Sequence, residues 1–415
     1  MISQNLFKFF PKSIQSKLNL LFFLYLISYL IGPAIINIYV TLLAIFSLFY
    51  LFKNYIFFKI LIKDRSSFLF IFLFAYFLIK DFFLDTLNVE ILSLLRFIII
   101  FLSISLFTIK ENKSFSINFV PIIIFILILF FDTFFQYIFG FNLFGFSKFQ
   151  SDRLTSFFND EPIIGSFLMK LSLPIIFFLL NSKIKKAYLY IFIILSVFCV
   201  MITGERMPFL QICFGIFLIF LIFFGFNFKK IIFFILLFLV SCVVLLNLPN
   251  IKERYISTFH DFQSLYDDIR SENEIVDKNS SSGTYNYYLN FQSGIQLWKQ
   301  NYFFGSGYRY YNQNCKLVLP DKFNIGCSTH PHNIYIELLS DHGVLGLILF
   351  IFFILFLSYD YIKYSRNSSA HGFLITLIVI SVPFVTSQSI FSSFYGSIFF
   401  LYFFIIKFMT KIRVN

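Results

Sequence analysis

The sequence predicts an all-α polytopic membrane protein, and three observations carry that prediction. Of 415 residues, 59% are hydrophobic and only 13% are charged, against about 25% charged in soluble proteins. Apolar runs of roughly 18 to 22 residues recur along the chain, the length that crosses about 30 Å of hydrocarbon. The Lys and Arg fall in short clusters between those runs, so the net charge of +12 reads as a topology signal and not as a nucleic-acid groove.

Twelve spans are expected, near 18–32, 34–52, 66–84, 90–108, 118–139, 162–181, 186–203, 207–226, 230–248, 334–358, 371–390 and 394–410. The first two turn at Gly32-Pro33. The first apolar run lacks a small-residue cleavage site and leads directly into another span, so no cleavable leader is expected. Three parts follow: nine spans in 1–248, a large loop over 249–333, and three spans in 334–415.

Basic clusters orient the spans. Lys53, Lys59, Lys63 and Arg65, then Lys183, Lys185 and Lys186, then Lys407, Lys411 and Arg413 fall on one side. The short segments of the other side hold only Lys80, Lys148, Arg153 and Arg206. The positive-inside rule puts both termini in the cytosol and the long loop outside. A loop of that length usually carries function. Within it, Tyr285 to Asn301 has helical apolar spacing (Tyr288, Phe291, Ile295, Leu297, Trp298). Trp298 fits either a helix resting at the membrane interface or ordinary packing inside the loop.

Cys199, Cys213 and Cys242 fall in spans and read as small hydrophobes. Cys315 and Cys327 share the outer loop, where an oxidising compartment favours a disulfide over two free thiols. No CxxC-type metal spacing occurs.

Charges inside spans are costly and mark function or pairing. Arg96, Asp132 and Lys170 lie about 9–12 Å below the outer ends of their spans. Arg96 and Asp132 are expected to form a buried ion pair, and Lys170 to snorkel outward. Glu205 and Arg206 occupy an outer turn, and Glu337, Asp341 and His342 the outer end of span ten. The inner halves hold no comparable charge. A transporter site near the midplane, built on broken helices in matching halves, has no counterpart here.

Three outer segments gather the polar chemistry: Asp152-Arg153-Leu-Thr-Ser-Phe-Phe-Asn-Asp160-Glu161-Pro162-Ile-Ile-Gly165, Thr203-Gly-Glu-Arg206-Met-Pro-Phe-Leu210, and Cys327 to Gly346 with His330, His332 and His342. In the last of these, His332 and Gly343 stand in an H-x10-G spacing. Together with Arg-Leu-Thr-x-x-Phe at Arg153 and Gly-x-Arg at Gly204, this resembles the O-antigen ligase and O-antigen polymerase superfamily over roughly residues 150–360. The resemblance implies a GT-C-like fold at the bacterial inner membrane with its site facing the periplasm. It also implies a glycosyltransferase that needs no metal or cofactor. The donor would be an undecaprenyl-diphosphate-linked glycan, and the acceptor lipid A-core or a second lipid-linked glycan.

The residues suit that chemistry. Planar guanidiniums bind phosphate oxygens bidentately without a metal, so Arg153 and Arg206 are expected to hold the diphosphate leaving group. An imidazole accepts a hydroxyl proton near neutral pH, which makes His332 the expected base and His330 its reserve. Asn333 and Glu337 are expected to orient the ring or bind sugar hydroxyls. A further loop arginine would be Arg254, Arg270 or Arg309, and Gly305-Ser-Gly307 reads as a turn. Ligase is favoured over polymerase by family analogy alone. The rivals of other classes are a lipid-linked glycan flippase, which needs a cationic cavity reaching the inner leaflet, and a non-catalytic export-complex protein.

Overall fold

The computed structural model describes residues 14–84, 89–111, 116–149, 153–159, 161–225, single positions between 232 and 266, 283–318, 327–364, 371–383 and 386–410. Asp152, Asp160, Cys242, Arg254 and Arg270 lie outside the described residues, as does most of the expected span at 230–248.

The described chain is helical. It runs α1 (Ile14–Ile31), α2 (Pro33–Lys53), a short α3 (Phe58–Lys63), α4 (Arg65–Phe83), α5 (Leu95–Glu111, entered through the 3-10 turn Val89–Leu94) and α6 (Phe119–Phe139). Then come α7 (Ile164–Asn181), α8 (Lys186–Ile202), α9 (Arg206–Phe224), α10 (Gly283–Gln300), α11 (Tyr310–Val318), α12 (Ile334–Tyr364), α13 (His371–Ile380) and α14 (Tyr395–Met409). No strand occurs among the described residues, only isolated bridges at Phe141–Ser147 and Phe149–Arg153. Among the described residues seven helices are long and apolar enough to cross a membrane, and α1, α8, α13 and α14 are shorter apolar helices. The surface is apolar as well: Phe46, Phe49 and Phe83 are 70%, 68% and 79% exposed. Water would penalise such a surface, whereas lipid does not, so this is a multi-pass membrane protein.

Lipid is as apolar as a helix flank, so shape and close packing hold the helices together. Aromatic interdigitation supplies it here. Phe97 of α5 stacks on Phe400 of α14 at 4.3 Å, and Phe70 of α4 meets Phe101 and Phe353 at 4.5 and 4.7 Å. α4 packs along α12, α2 along α5, and α7 against α8, α9 and α13.

At one end, Asp64 caps α4 by accepting from the Ser67 N–H at 3.0 Å, and the Lys407 ammonium donates to it at 2.6 Å. Both side chains are almost wholly buried. The expectation that the inner halves lack charge is corrected here: this pair ties α4 to α14, and a helix cap, not a span centre, is where a buried carboxylate finds donors. The opposite end gathers the start of α2, α5, α7, α9, α12 and α14 and the end of α4, α6, α8 and α13. It is the polar, loop-bearing end.

Two spans depart from their expected form. α12 carries a non-helical residue at Gly343 (φ 68, ψ −173). α13 stops at Ile380, well short of 390, and the following stretch to Phe394 contains no regular α-helix among its described residues. Polar serines at 387 and 389 let this stretch bond to neighbouring side chains and backbone instead of to itself.

Candidate functional site

The histidine segment is held from both sides. Asn333 caps α12: its Oδ1 accepts from the Tyr335 and Ile336 N–H groups at 3.0 and 3.2 Å, and its Nδ2 donates to the Pro383 carbonyl at 2.6 Å. The His332 carbonyl accepts from Ser387 N–H at 2.7 Å. On the other side, Asn290 of α10 is a hub. Its Oδ1 accepts from Tyr311 Oη at 2.7 Å and from Ser328 N and Oγ at 3.1 and 3.2 Å. The Cys315–Cys327 disulfide closes the same corner. The expected pairing is therefore present, tying α11 to the chain five residues before His332. Trp298 donates to the Tyr302 carbonyl at 3.0 Å and packs edge-on against that ring.

His332 itself takes a left-handed backbone, φ 53, a conformation that His tolerates better than most residues. Its ring lies 4.2 Å from His330 and 5.0 Å from Tyr287. Burial pushes the His332 imidazole down to about 4, and burial plus the neighbouring His332 pushes His330 to about 3. Both rings are neutral at pH 7 and available as acceptors. They differ in access. His330 is only 8% exposed, with Nδ1 against Thr329 Oγ1 at 3.1 Å, while His332 is partly open. Among the described residues no side chain hydrogen-bonds the His332 ring.

Gly343 explains the far end of the H-x10-G spacing. The chain from Tyr302 to Gly307 crosses α12 at the break and completes its backbone bonding. Val344 and Leu345 N–H donate to the carbonyls of Tyr302 and Phe303 at 3.0 and 3.2 Å, while Ser306 and Gly307 N–H donate to those of Ser340 and Asp341 at 3.1 and 2.9 Å. A Cβ on Gly343 would strike Phe303 O and Gly305 N, and one on Gly305 would strike Gly343 N and Asp341 C. Two glycines are needed because two backbones touch. Gly305-Ser-Gly307, read from sequence as a turn, is this crossing.

A cluster that sequence reasoning missed locks the crossing in place. Lys80 pairs with Asp81 at 2.9 Å, donates to the Asp341 carbonyl at 2.6 Å and lies 3.2 Å from His342 Nδ1. Asp81 accepts from Tyr308 N–H at 3.0 Å, and Asp341 accepts from Arg309 and Tyr311 N–H at 2.9 and 3.2 Å. His342 stacks on Phe77 at 3.7 Å. The signal available was the adjacent Lys80-Asp81 pair at a span end, read instead as orientation charge. Arg309 forms an ion pair with Glu90. Glu337 is buried and bonded to Ser389. Neither Asn333 nor Glu337 bonds the His332 ring; their polar atoms are committed to the helix cap and to the stretch after α13.

The arginine side is built on α7. Leu154 N–H donates to the Thr203 carbonyl at 3.3 Å, joining the Arg153 and Arg206 segments. Gln136 Oε1 accepts from Thr155 and Ser156 N–H at 2.9 and 2.8 Å, which pins the first segment to α6. Glu205 accepts from Gly165 and Ser166 N–H at 2.6 and 3.2 Å, at the positive start of α7. Burial raises its carboxyl to about 7, opposed chiefly by Arg153. Glu205 therefore caps α7. Arg153 donates to the Pro162 carbonyl at 2.8 Å, and its buried Nε has no partner. Lys170 lies within electrostatic reach of Glu205. Arg206 opens α9, half-buried.

The stretch after α13 links the two sides. It holds His332 through Ser387 at one end, and at the other Tyr395 donates to Glu161 at 2.8 Å, next to the Pro162 that receives Arg153. The expected Arg96–Asp132 pair is overturned. Arg96 donates to Asn37 Oδ1 at 3.0 Å, and Asp132 accepts from Leu143 N–H at 2.8 Å and bonds Ser156 Oγ. The two side chains serve different helix neighbours, because their equal depth in the membrane does not put α5 and α6 face to face.

Residues 191–351 match the family model described as O-antigen ligase, Wzy_C. That segment of the chain is similar to O-antigen ligases. The match runs from within α8 into α12, so it includes Arg206, His332 and Gly343 and leaves Arg153 outside it. The likeness is to proteins of ligase or polymerase type, with glycosyltransferase-like chemistry in O-antigen and lipopolysaccharide biosynthesis. No curated protein matches the chain.

Proposed function

We propose that this O-antigen ligase-family protein transfers a glycan from undecaprenyl diphosphate to lipid A-core, without a metal, at the periplasmic face of the bacterial inner membrane. The observation that supports this best is His332. Its neutral, partly open imidazole has no side-chain hydrogen bond among the described residues, and it lies at the same end of the bundle as Arg153 and Arg206. The acceptor hydroxyl donates its proton toward the imidazole as its oxygen attacks the anomeric carbon, and the glycosidic C–O bond to the diphosphate breaks. Arg153 and Arg206 take up the charge that develops on that leaving group. The arginine and histidine segments join through the stretch after α13, which supports one continuous site. The basic clusters support the periplasmic orientation. The same chemistry serves a polymerase if the acceptor is a second lipid-linked glycan.

Replacing Arg206 or Arg153 by Ala is expected to lower transfer by about 10²–10³-fold, the scale of losing one preorganised donor to a developing negative charge. Lys at either position restores only part of it, because it lacks the planar fork. Full transfer by R206A in reconstituted membranes removes that residue from the reaction.

The depressed His332 pKa sets a second expectation. Only below about pH 5 should acid protonate the ring and stop catalysis, so the acid limb of kcat/KM, which reports the free enzyme, lies well under 6.5. An acid limb at 6.5 or above in kcat/KM contradicts a buried neutral base.

A further inference from the structure

We propose that Arg96, with Asn37 and Thr41, forms a lateral binding site for the phosphate group of a lipid-borne ligand, distinct from the His332 site. Arg96 stands in the first turn of α5 and reaches sideways to α2. It bonds Asn37 Oδ1 at 3.0 Å, with Thr41 Oγ1 at 3.4 Å. Thr41 gives its own proton to the Asn37 carbonyl at 2.8 Å, so both groups facing the guanidinium are neutral acceptors. Among the described residues no carboxylate pairs with Arg96, and its buried Nε has no hydrogen-bond partner. A cation in this setting keeps most of its donors unused.

Asn37 and Thr41 stand four and eight residues into α2, about 6 and 12 Å from its start. The guanidinium is therefore fixed between two helices and does not run up to the helix ends as a snorkelling side chain would. The helix surface around it is apolar and open: Ile38, Leu42 and Ile45 of α2 are 58%, 50% and 44% exposed. A ligand for this place carries a phosphate for the guanidinium and hydrocarbon for the surrounding apolar face. Arg is the residue suited to it, because its planar fork meets two phosphate oxygens at once. The nearby Arg309 is already satisfied by Glu90, which leaves Arg96 as the cation to be filled.

Two sources supply this chemistry, a bilayer phospholipid or a phosphate on the lipid-linked acceptor. The test is native mass spectrometry of the full chain in detergent, titrated with dioleoyl phosphatidic acid, with phosphatidylcholine as the zwitterionic control. The wild type should retain phosphatidic acid at least about tenfold better than Arg96→Gln, with Arg96→Lys between them. Asn37→Asp should also lose the lipid and melt at a higher temperature, because it gives the guanidinium a carboxylate of its own. Should Arg96→Gln not fold, Asn37→Asp decides alone. Equal retention of phosphatidic acid by wild type and Asn37→Asp, or no preference over phosphatidylcholine, overturns the site. The source is read separately and rests on the proposed transfer reaction. A tenfold rise in acceptor KM in Asn37→Asp, with donor KM unchanged, assigns the site to the acceptor phosphate. Lost phosphatidic acid binding with both KM values unchanged assigns it to a bilayer phospholipid.

Discussion

His332→Asn lowers glycan transfer by about 10²–10⁴-fold, the range that a positioned general base contributes, while the protein still folds. Asn is the informative replacement because, like His, it accepts the left-handed backbone found at this position, so the change removes the base without straining the turn. The loss should appear in kcat, with donor KM little changed, since the diphosphate is assigned to the arginines. His330→Asn should cost much less: its ring is nearly closed off and already bonded through Nδ1 to Thr329. The measurement is transfer in proteoliposomes at matched protein levels. Wild-type rates in His332→Asn would remove the imidazole from the mechanism.

Gly343→Val prevents correct folding. At φ 68 and ψ −173 the backbone sits in a region that is essentially glycine-only, and a side chain there costs about 1–3 kcal/mol before any clash. The new Cβ also meets the backbone of Phe303 and Gly305, so the crossing segment must lift off α12. Four inter-segment hydrogen bonds around the break would then be lost to an environment that offers few substitutes. Detergent-solubilised Gly343→Val should melt far below wild type or be missing from the membrane fraction. Leu345→Ala, two residues on and 39% exposed, should behave nearly as wild type. Equal stability of Gly343→Val and wild type would mean that the helix break is not as described.

These two positions also show what the sequence could and could not reveal. Span positions were legible because lipid enforces one length and one polarity: the helices starting at Pro33, Arg65, Phe119 and Lys186 lie within a residue or two of their expected limits. The polar, loop-bearing end was legible because Arg153, Arg206 and His332 stand at span boundaries, where polar side chains meet the surface. The break in α12 was not, because a glycine in an apolar run looks like any other until the segment that touches it is known. The stretch after α13 failed for a related reason: its composition is apolar enough for a span, yet its Ser389 and Ser387 hydroxyls and the Ser387 N–H bond to Glu337, Ile334 and His332. Pairings across the bundle were the least legible. Arg96 and Asp132 sit at similar depth, but depth is one coordinate, and azimuth around the bundle decides who meets whom. Lys80 and Asp81 likewise met partners more than two hundred residues away.

The most direct test is product formation by the purified wild-type chain. It should be reconstituted with an undecaprenyl-diphosphate-linked glycan, in a chelator such as EDTA, with lipid A-core present or absent. The predicted result is a glycan-bearing lipid A-core together with free undecaprenyl diphosphate, undiminished by the chelator. Movement of the lipid-linked glycan between leaflets with no new glycosidic bond, or transfer that stops in EDTA and resumes with added metal, would contradict it.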